Sequence, residues 1–103
     1  MDRIKEIRKA IDLIDADLLK LLNDRARLAI ELGELKNDLG LAIYDPTREK
    51  EIIEMMLSKN EGPLDDKAVI GLFQRIIDES RRVEKFSVSS KKITIENQQR
   101  ESK

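Results

Sequence analysis

At 103 residues the chain has the length of one small domain, and a makeup of 40% hydrophobic, 40% charged and 3% aromatic residues suits helices built on Leu/Ile seams. The formal net charge of -1 excludes the broad basic field that nucleic acid or an acidic membrane would require. The lack of His and Cys excludes disulfides, Cys/His metal sites, thiol nucleophiles and imidazole acid–base chemistry, so any reaction must rest on Arg, Lys, Asp, Glu, Ser and the backbone.

Met1-Asp2-Arg3-Ile4-Lys5-Glu6 is charged and periodic, unlike a signal peptide, and no uninterrupted apolar stretch is long enough for a bilayer; a cytoplasmic protein is expected. From Asp2 to about Leu39, apolar residues recur at Ile4, Ile7, Ile11, Ile14, Leu18, Leu21, Leu28, Leu32, Leu35 and Leu39. Steps of three and four put them on one helix face, close to a heptad seam, and Gly40 suits a C-terminal cap. Such a helix spans roughly 57 Å, whereas a compact domain of this size has a radius of gyration of about 13 Å. Two shorter helices cannot cover that seam, so a partner chain is the expected cover; a plain coiled-coil dimer satisfies the same pattern.

Leu41 to Tyr44 reads as a connection, and Asp45-Pro46 as an N-cap followed by Pro at the first helical position. The second helix is short, with Ile52, Ile53, Met56 and Leu57 on one side. Asn60-Glu61-Gly62-Pro63 is a turn. Asp65 or Asp66 caps a third helix to about Lys85, with Val69, Ile70, Leu72, Phe73, Ile76, Ile77 and Val83 as its stripe. Ser87 to Lys103 turns polar and reads as a loosely ordered tail, in which Ile93-Thr94-Ile95 has the means to dock. The expectation is an all-α fold of long, short and medium helices, with the domain in 1–86, the tail in 87–103 and no internal repeat.

Polar residues interrupt each apolar face. Arg25 takes the seam position between Leu21 and Leu28, where a guanidinium needs a partner. Lys36 lies eleven residues on, close to three turns, so both cations share a face with Ala29 and Leu32 between them. Arg8 flanks the same seam but sits roughly 25 Å from Arg25 along the helix, so only an antiparallel partner brings it near. Arg48 and Glu49 continue the stripe of Ile52 and Ile53 toward the helix start, beside Asp45. In the third helix Phe73, Ile77, Ser80 and Glu84 follow steps of four, three and four, which ends the apolar stripe in a hydroxyl and a carboxyl. Taken singly, each has a plain structural explanation. Arg25 serves as a register-setting or snorkelling charge, Lys36 as a solvated flank, Asp45 with Arg48 and Glu49 as a first-turn cluster, and Ser80 with Glu84 as a fraying end. Taken together they form a cation-rich set suited to a small polyanion.

Arg8, Arg25, Lys36, Asp45-Pro46-Thr47-Arg48-Glu49, Phe73-Gln74-Arg75-Ile76-Ile77-Asp78-Glu79-Ser80 and the opening stretch Ile11 to Leu19 resemble the all-helical chorismate mutase family over about residues 3–85. The resemblance implies an intertwined helical homodimer of three-helix chains, rearranging chorismate to prephenate in Phe/Tyr biosynthesis without cofactor or metal. It assigns Arg8 of the partner subunit, Arg25 and Lys36 to the two substrate carboxylates, with Ser80 assisting. It assigns Glu49 to the ring hydroxyl, with Asp45 and Arg48 shaping that corner, and Lys36 to the ether oxygen as well. Glu84 stands where well-known members carry Gln as a second donor to that oxygen; other members carry Glu, which donates only when protonated. An isochorismate pyruvate lyase on the same fold and a non-catalytic helical dimerisation or regulatory module are the rival readings. The family's occasional fusions leave association in trans with another aromatic-pathway enzyme open, while neither nucleic acid nor membrane is an expected partner.

Overall fold

A computed structural model describes the backbone of residues 2–101 and the side chains of residues 2–90. It is built of three helices: α1 (Asp2–Asp38), α2 (Pro46–Lys59) and α3 (Asp66–Glu101). Helix α3 packs against both α1 and α2. The radius of gyration is 18.9 Å and the longest dimension 69 Å, well beyond the roughly 13 Å radius of a compact chain of this length.

The helix ends follow from local chemistry. Gly40 adopts φ +71°, a left-handed conformation that a side chain resists. It lets the Leu41 N–H donate to the Lys36 carbonyl at 2.7 Å and the Gly40 N–H to Asn37 at 3.2 Å, the two bonds of a Schellman cap. The cap turns the chain back over the last turn of α1. Asp45 caps α2, its Oδ1 accepting from the Arg48 N–H at 3.0 Å, with Pro46 at the first helical position. Asp65 caps α3, accepting from the Ala68 N–H at 2.8 Å. In the turn between them Asn60 donates to the Leu64 carbonyl and accepts from the Gly62 N–H.

Helix α3 does not stop near Lys85, as the polar composition beyond it suggested. The backbone stays helical to Glu101 because Ser87 to Glu101 contains no Gly or Pro to break it and is rich in Lys, Glu, Gln and Arg. Docking of Ile93-Thr94-Ile95 concerns side chains outside the described residues.

The apolar core of one chain is small. Among the described residues only Ala29, Val69 and Ile77 are buried hydrophobics. The seam of α1 lies open, with Ile14 64%, Leu21 62% and Leu28 66% exposed and Ile4 to Leu39 following suit. A contiguous apolar face of that length, which the sequence expected a partner chain to cover, has the character of an interaction surface.

Candidate active site

Helix α1 contributes two cations on one face. Arg25 is half-buried toward α3, where its Nη1 donates to Ser80 Oγ. The Ser80 hydroxyl itself donates a hydrogen bond to the Ile76 carbonyl at 2.9 Å, which leaves its oxygen free to accept from the guanidinium. Lys36 sits in the last turn of α1, where a cation complements the helix dipole. The capped turn folds Ile43 back over it, and Lys36 Nζ donates to the Ile43 carbonyl at 3.3 Å.

Helix α2 presents its N-terminal turn. Asp45 is engaged as the cap, and Arg48 pairs with Glu51 at 3.6 Å while both remain exposed. Glu49 is turned inward and meets Arg81 of α3, whose Nη1 donates to Glu49 Oε2 at 2.9 Å.

Glu84 is the one buried charged side chain among the described residues, 7% exposed. It lies where α3 crosses α1 at Gly33: a Cβ on Gly33 would meet Glu84 Cβ at 3.0 Å. Burial pushes the Glu84 carboxyl above its ordinary value, against the opposing pull of Lys36, Arg25 and Arg81. Desolvation outweighs three nearby cations, so the protonated form is favoured more than in water.

These groups surround one open cavity of about 270 Å³. Leu28, Ala29, Leu32, Ile43, Ile52 and Ile77 supply apolar wall, and Arg25, Lys36, Asp45, Arg48, Glu49, Ser80, Arg81 and Glu84 supply polar groups. Seven residues singled out from the sequence are thus brought together: Arg25, Lys36, Asp45, Arg48, Glu49, Ser80 and Glu84. Arg8 is not among the lining residues; it lies exposed toward the other end of α1. Arg81 is the polar lining residue that sequence reasoning missed. Its signal was its place four residues after Ile77 and three before Glu84, on the edge of the same face.

Arg25, Lys36, Arg48 and Arg81 stand against Asp45, Glu49 and Glu84, so the cations outnumber the carboxylates even when every carboxylate is ionised. An apolar-walled cavity with that excess is matched to a small dianion with a compact carbon skeleton. Among the described residues no group of His, Cys, Asp and Glu is placed to hold a metal ion, and no helix is long and apolar enough to cross a membrane.

Comparison with known proteins gives a consistent answer. Residues 7–85 match the family model described as chorismate mutase type II. The chain is 38% identical over 86 residues to a chorismate mutase of Methanocaldococcus jannaschii, covering 82% of this chain and 87% of that one. It is 40% identical over 89 residues to a bifunctional chorismate mutase/prephenate dehydratase of Aquifex aeolicus, covering 82% of this chain but 25% of that protein. The chain spans about a quarter or less of such two-activity relatives. The solved structure of chorismate mutase (form II) from Thermus thermophilus superposes with a TM-score of 0.79 at 38% identity, covering 81% of this chain and 94% of that one.

Proposed function

The chain belongs to the chorismate mutase type II family, and on that premise we propose that it rearranges chorismate to prephenate in the cavity between α1, α2 and α3. The observation that carries this reading is the convergence of eight charged and polar groups, from the three helices and the cap of α2, on one apolar-walled cavity with an excess of positive charge.

The reaction breaks a C–O bond and forms a C–C bond in one concerted step, with no nucleophile and no obligatory proton transfer. Catalysis therefore comes from holding the compact conformer and from stabilising the negative charge that grows on the ether oxygen. Arg25, braced by Ser80, holds one substrate carboxylate. Lys36 reaches from the end of α1 to the second carboxylate and the ether oxygen. Glu84, in its protonated form, is the second donor to that oxygen; ionised, it would oppose the developing charge. Glu49 accepts from the ring hydroxyl, with Asp45 fixing the start of α2 and Arg48 bordering that corner. The apolar walls exclude water and so strengthen every one of these interactions.

The open seam of α1 supports a homodimer in which the long helices pair antiparallel. Arg8 of the partner subunit then completes the carboxylate site, which accounts for an Arg standing roughly 25 Å from its own chain's Arg25. The working enzyme is cytoplasmic. Relatives that join a mutase to a prephenate dehydratase in one chain support a partnership in trans with an enzyme that consumes the product.

The test is incubation with chorismate, following substrate loss and product identity, for wild type and Arg25→Ala. Prephenate formed by wild type, with a loss of roughly ten- to a hundredfold or more in the variant, is the expected result, since one charge-assisted hydrogen bond is worth about 1.5–3 kcal/mol. A folded wild type that leaves chorismate untouched, or that instead releases pyruvate from isochorismate, refutes it.

A further inference from the structure

Arg81 touches three parts of the fold at once. Its Nη1 donates to Glu49 Oε2 of α2 at 2.9 Å, and its Nη2 to Asp78 Oδ1 of α3 at 3.1 Å. Its guanidinium carbon lies 4.9 Å from the centre of the Tyr44 ring, in the connection that leads into α2. The pair is shielded, with the Arg81 side chain 26% and the Glu49 side chain 19% exposed. Helix α2 has no buried residue of its own to anchor it. The Glu49 carboxylate is thus held from a neighbouring helix by Arg81.

We propose that Arg81 is the positioning residue for Glu49, and that through it the enzyme discriminates in favour of a substrate that carries the ring hydroxyl. The inference rests on the assignment of Glu49 to that hydroxyl. The physical case has three parts. First, a glutamate side chain has several rotamers, which aim its carboxylate in different directions. Arg81 removes that freedom before substrate arrives, so the ordering is not charged against binding. Second, the bond goes to one Glu49 oxygen, Oε2, which leaves the carboxylate its other oxygen as an acceptor. Third, the contact needs a planar fork. One arm reaches α2, the other is held by Asp78 on the same helix, and the face lies over Tyr44. An ammonium offers neither the second directed arm nor the flat face. Arg81 thus acts on the substrate at one remove, whereas Arg25 and Lys36 act on it directly.

The experiment compares kcat/KM for chorismate and for its analogue lacking the ring hydroxyl, in wild type, Arg81→Ala, Glu49→Gln and the double variant. Wild type is expected to prefer chorismate. In Arg81→Ala that preference should fall roughly tenfold, the scale of one charge-assisted hydrogen bond. The double variant should discriminate no worse than Glu49→Gln alone, because both changes remove the same interaction. Arg81→Lys keeps the charge and is the gentler substitution for folding; its preference should also fall, by a smaller factor. A merely structural role would lower both substrates equally and leave the ratio unmoved, and that outcome in Arg81→Ala and Arg81→Lys overturns the proposal. So does an additive loss in the double variant. Wild type inactive on chorismate refutes the assigned reaction and this proposal with it. Wild type active, with Glu49→Gln showing unaltered preference, refutes the role given to Glu49.

Discussion

Alanine at Gly33 puts a methyl group against the root of Glu84. The new Cβ would lie 3.0 Å from Glu84 Cβ, 3.1 Å from Cγ and 3.4 Å from Cα. These atoms belong to the base of the side chain and the backbone of α3, so rotating a flexible end cannot relieve the clash. The helices must part by a few tenths of an ångström. Removing a glycine from a helix interior gains about 1 kcal/mol, and overpacking a tight contact costs about 1–3 kcal/mol, so the net change is a destabilisation of about 0–2 kcal/mol. Gly71, inside α3 with nothing within 4 Å of its added Cβ, isolates the first contribution. Gly71→Ala should raise stability by about 1 kcal/mol, and the difference between the two variants is the cost of the contact, about 1–3 kcal/mol. Urea unfolding under matched conditions reads both as shifts in midpoint at constant slope. Since Gly33 sets how closely Glu84 approaches α1, kcat/KM for chorismate should also fall, by roughly tenfold for a displacement of half an ångström. If Gly33→Ala is as stabilising as Gly71→Ala and leaves kcat/KM unchanged, the close crossing at Gly33 does not govern Glu84 and the reasoning fails.

Glu84 gives a pH prediction of definite sign. Burial raises its folded value above the ordinary 4.5, so the folded chain holds this proton longer than the unfolded chain. The stability that this group contributes is fully present below 4.5 and is lost as pH rises through the raised value. With Glu84 in its proposed role as a donor to the ether oxygen, activity should fall across the same rise. Glu84→Gln should flatten the decline in kcat/KM; superimposable pH profiles for wild type and variant would exclude the acid role. The partner contribution is tested by complementation. Arg8→Ala and Arg25→Ala should each be nearly inactive, yet refolding them together in equal amounts should restore about a quarter of wild-type activity, since half the dimers are mixed and each of those has one intact site. No recovery in a mixture proven to form mixed dimers would place Arg8 outside the site.

The helices were legible where a single periodicity or cap residue decides them. The three–four repeat from Ile4 to Leu39 gave α1, Asp45-Pro46 gave the start of α2, and Gly40 gave the turn that folds Ile43 over Lys36. The shared face of Arg25 and Lys36 was also readable, because eleven residues is close to three turns. What escaped was whatever depends on how one helix crosses another. Gly33 looks like any helical glycine until α3 is laid across it. Arg81 lies at the edge of the stripe rather than on it, and its partners Glu49 and Tyr44 belong to other elements. The end of α3 was misplaced because polarity after Phe86 was read as a stop, although polar residues with good helix propensity continue a helix that nothing breaks.

A chain that buries only Ala29, Val69 and Ile77 among its described hydrophobics has little with which to oppose the entropy of its own ordering. Most of the free energy that keeps it folded must then arise when the α1 seam meets its cover. Where that cover is a second copy, folding and association are one event, second order in protein. In such a dimer the unfolding midpoint is fixed by the sequence together with the amount of protein present, and dilution itself would act as a denaturant.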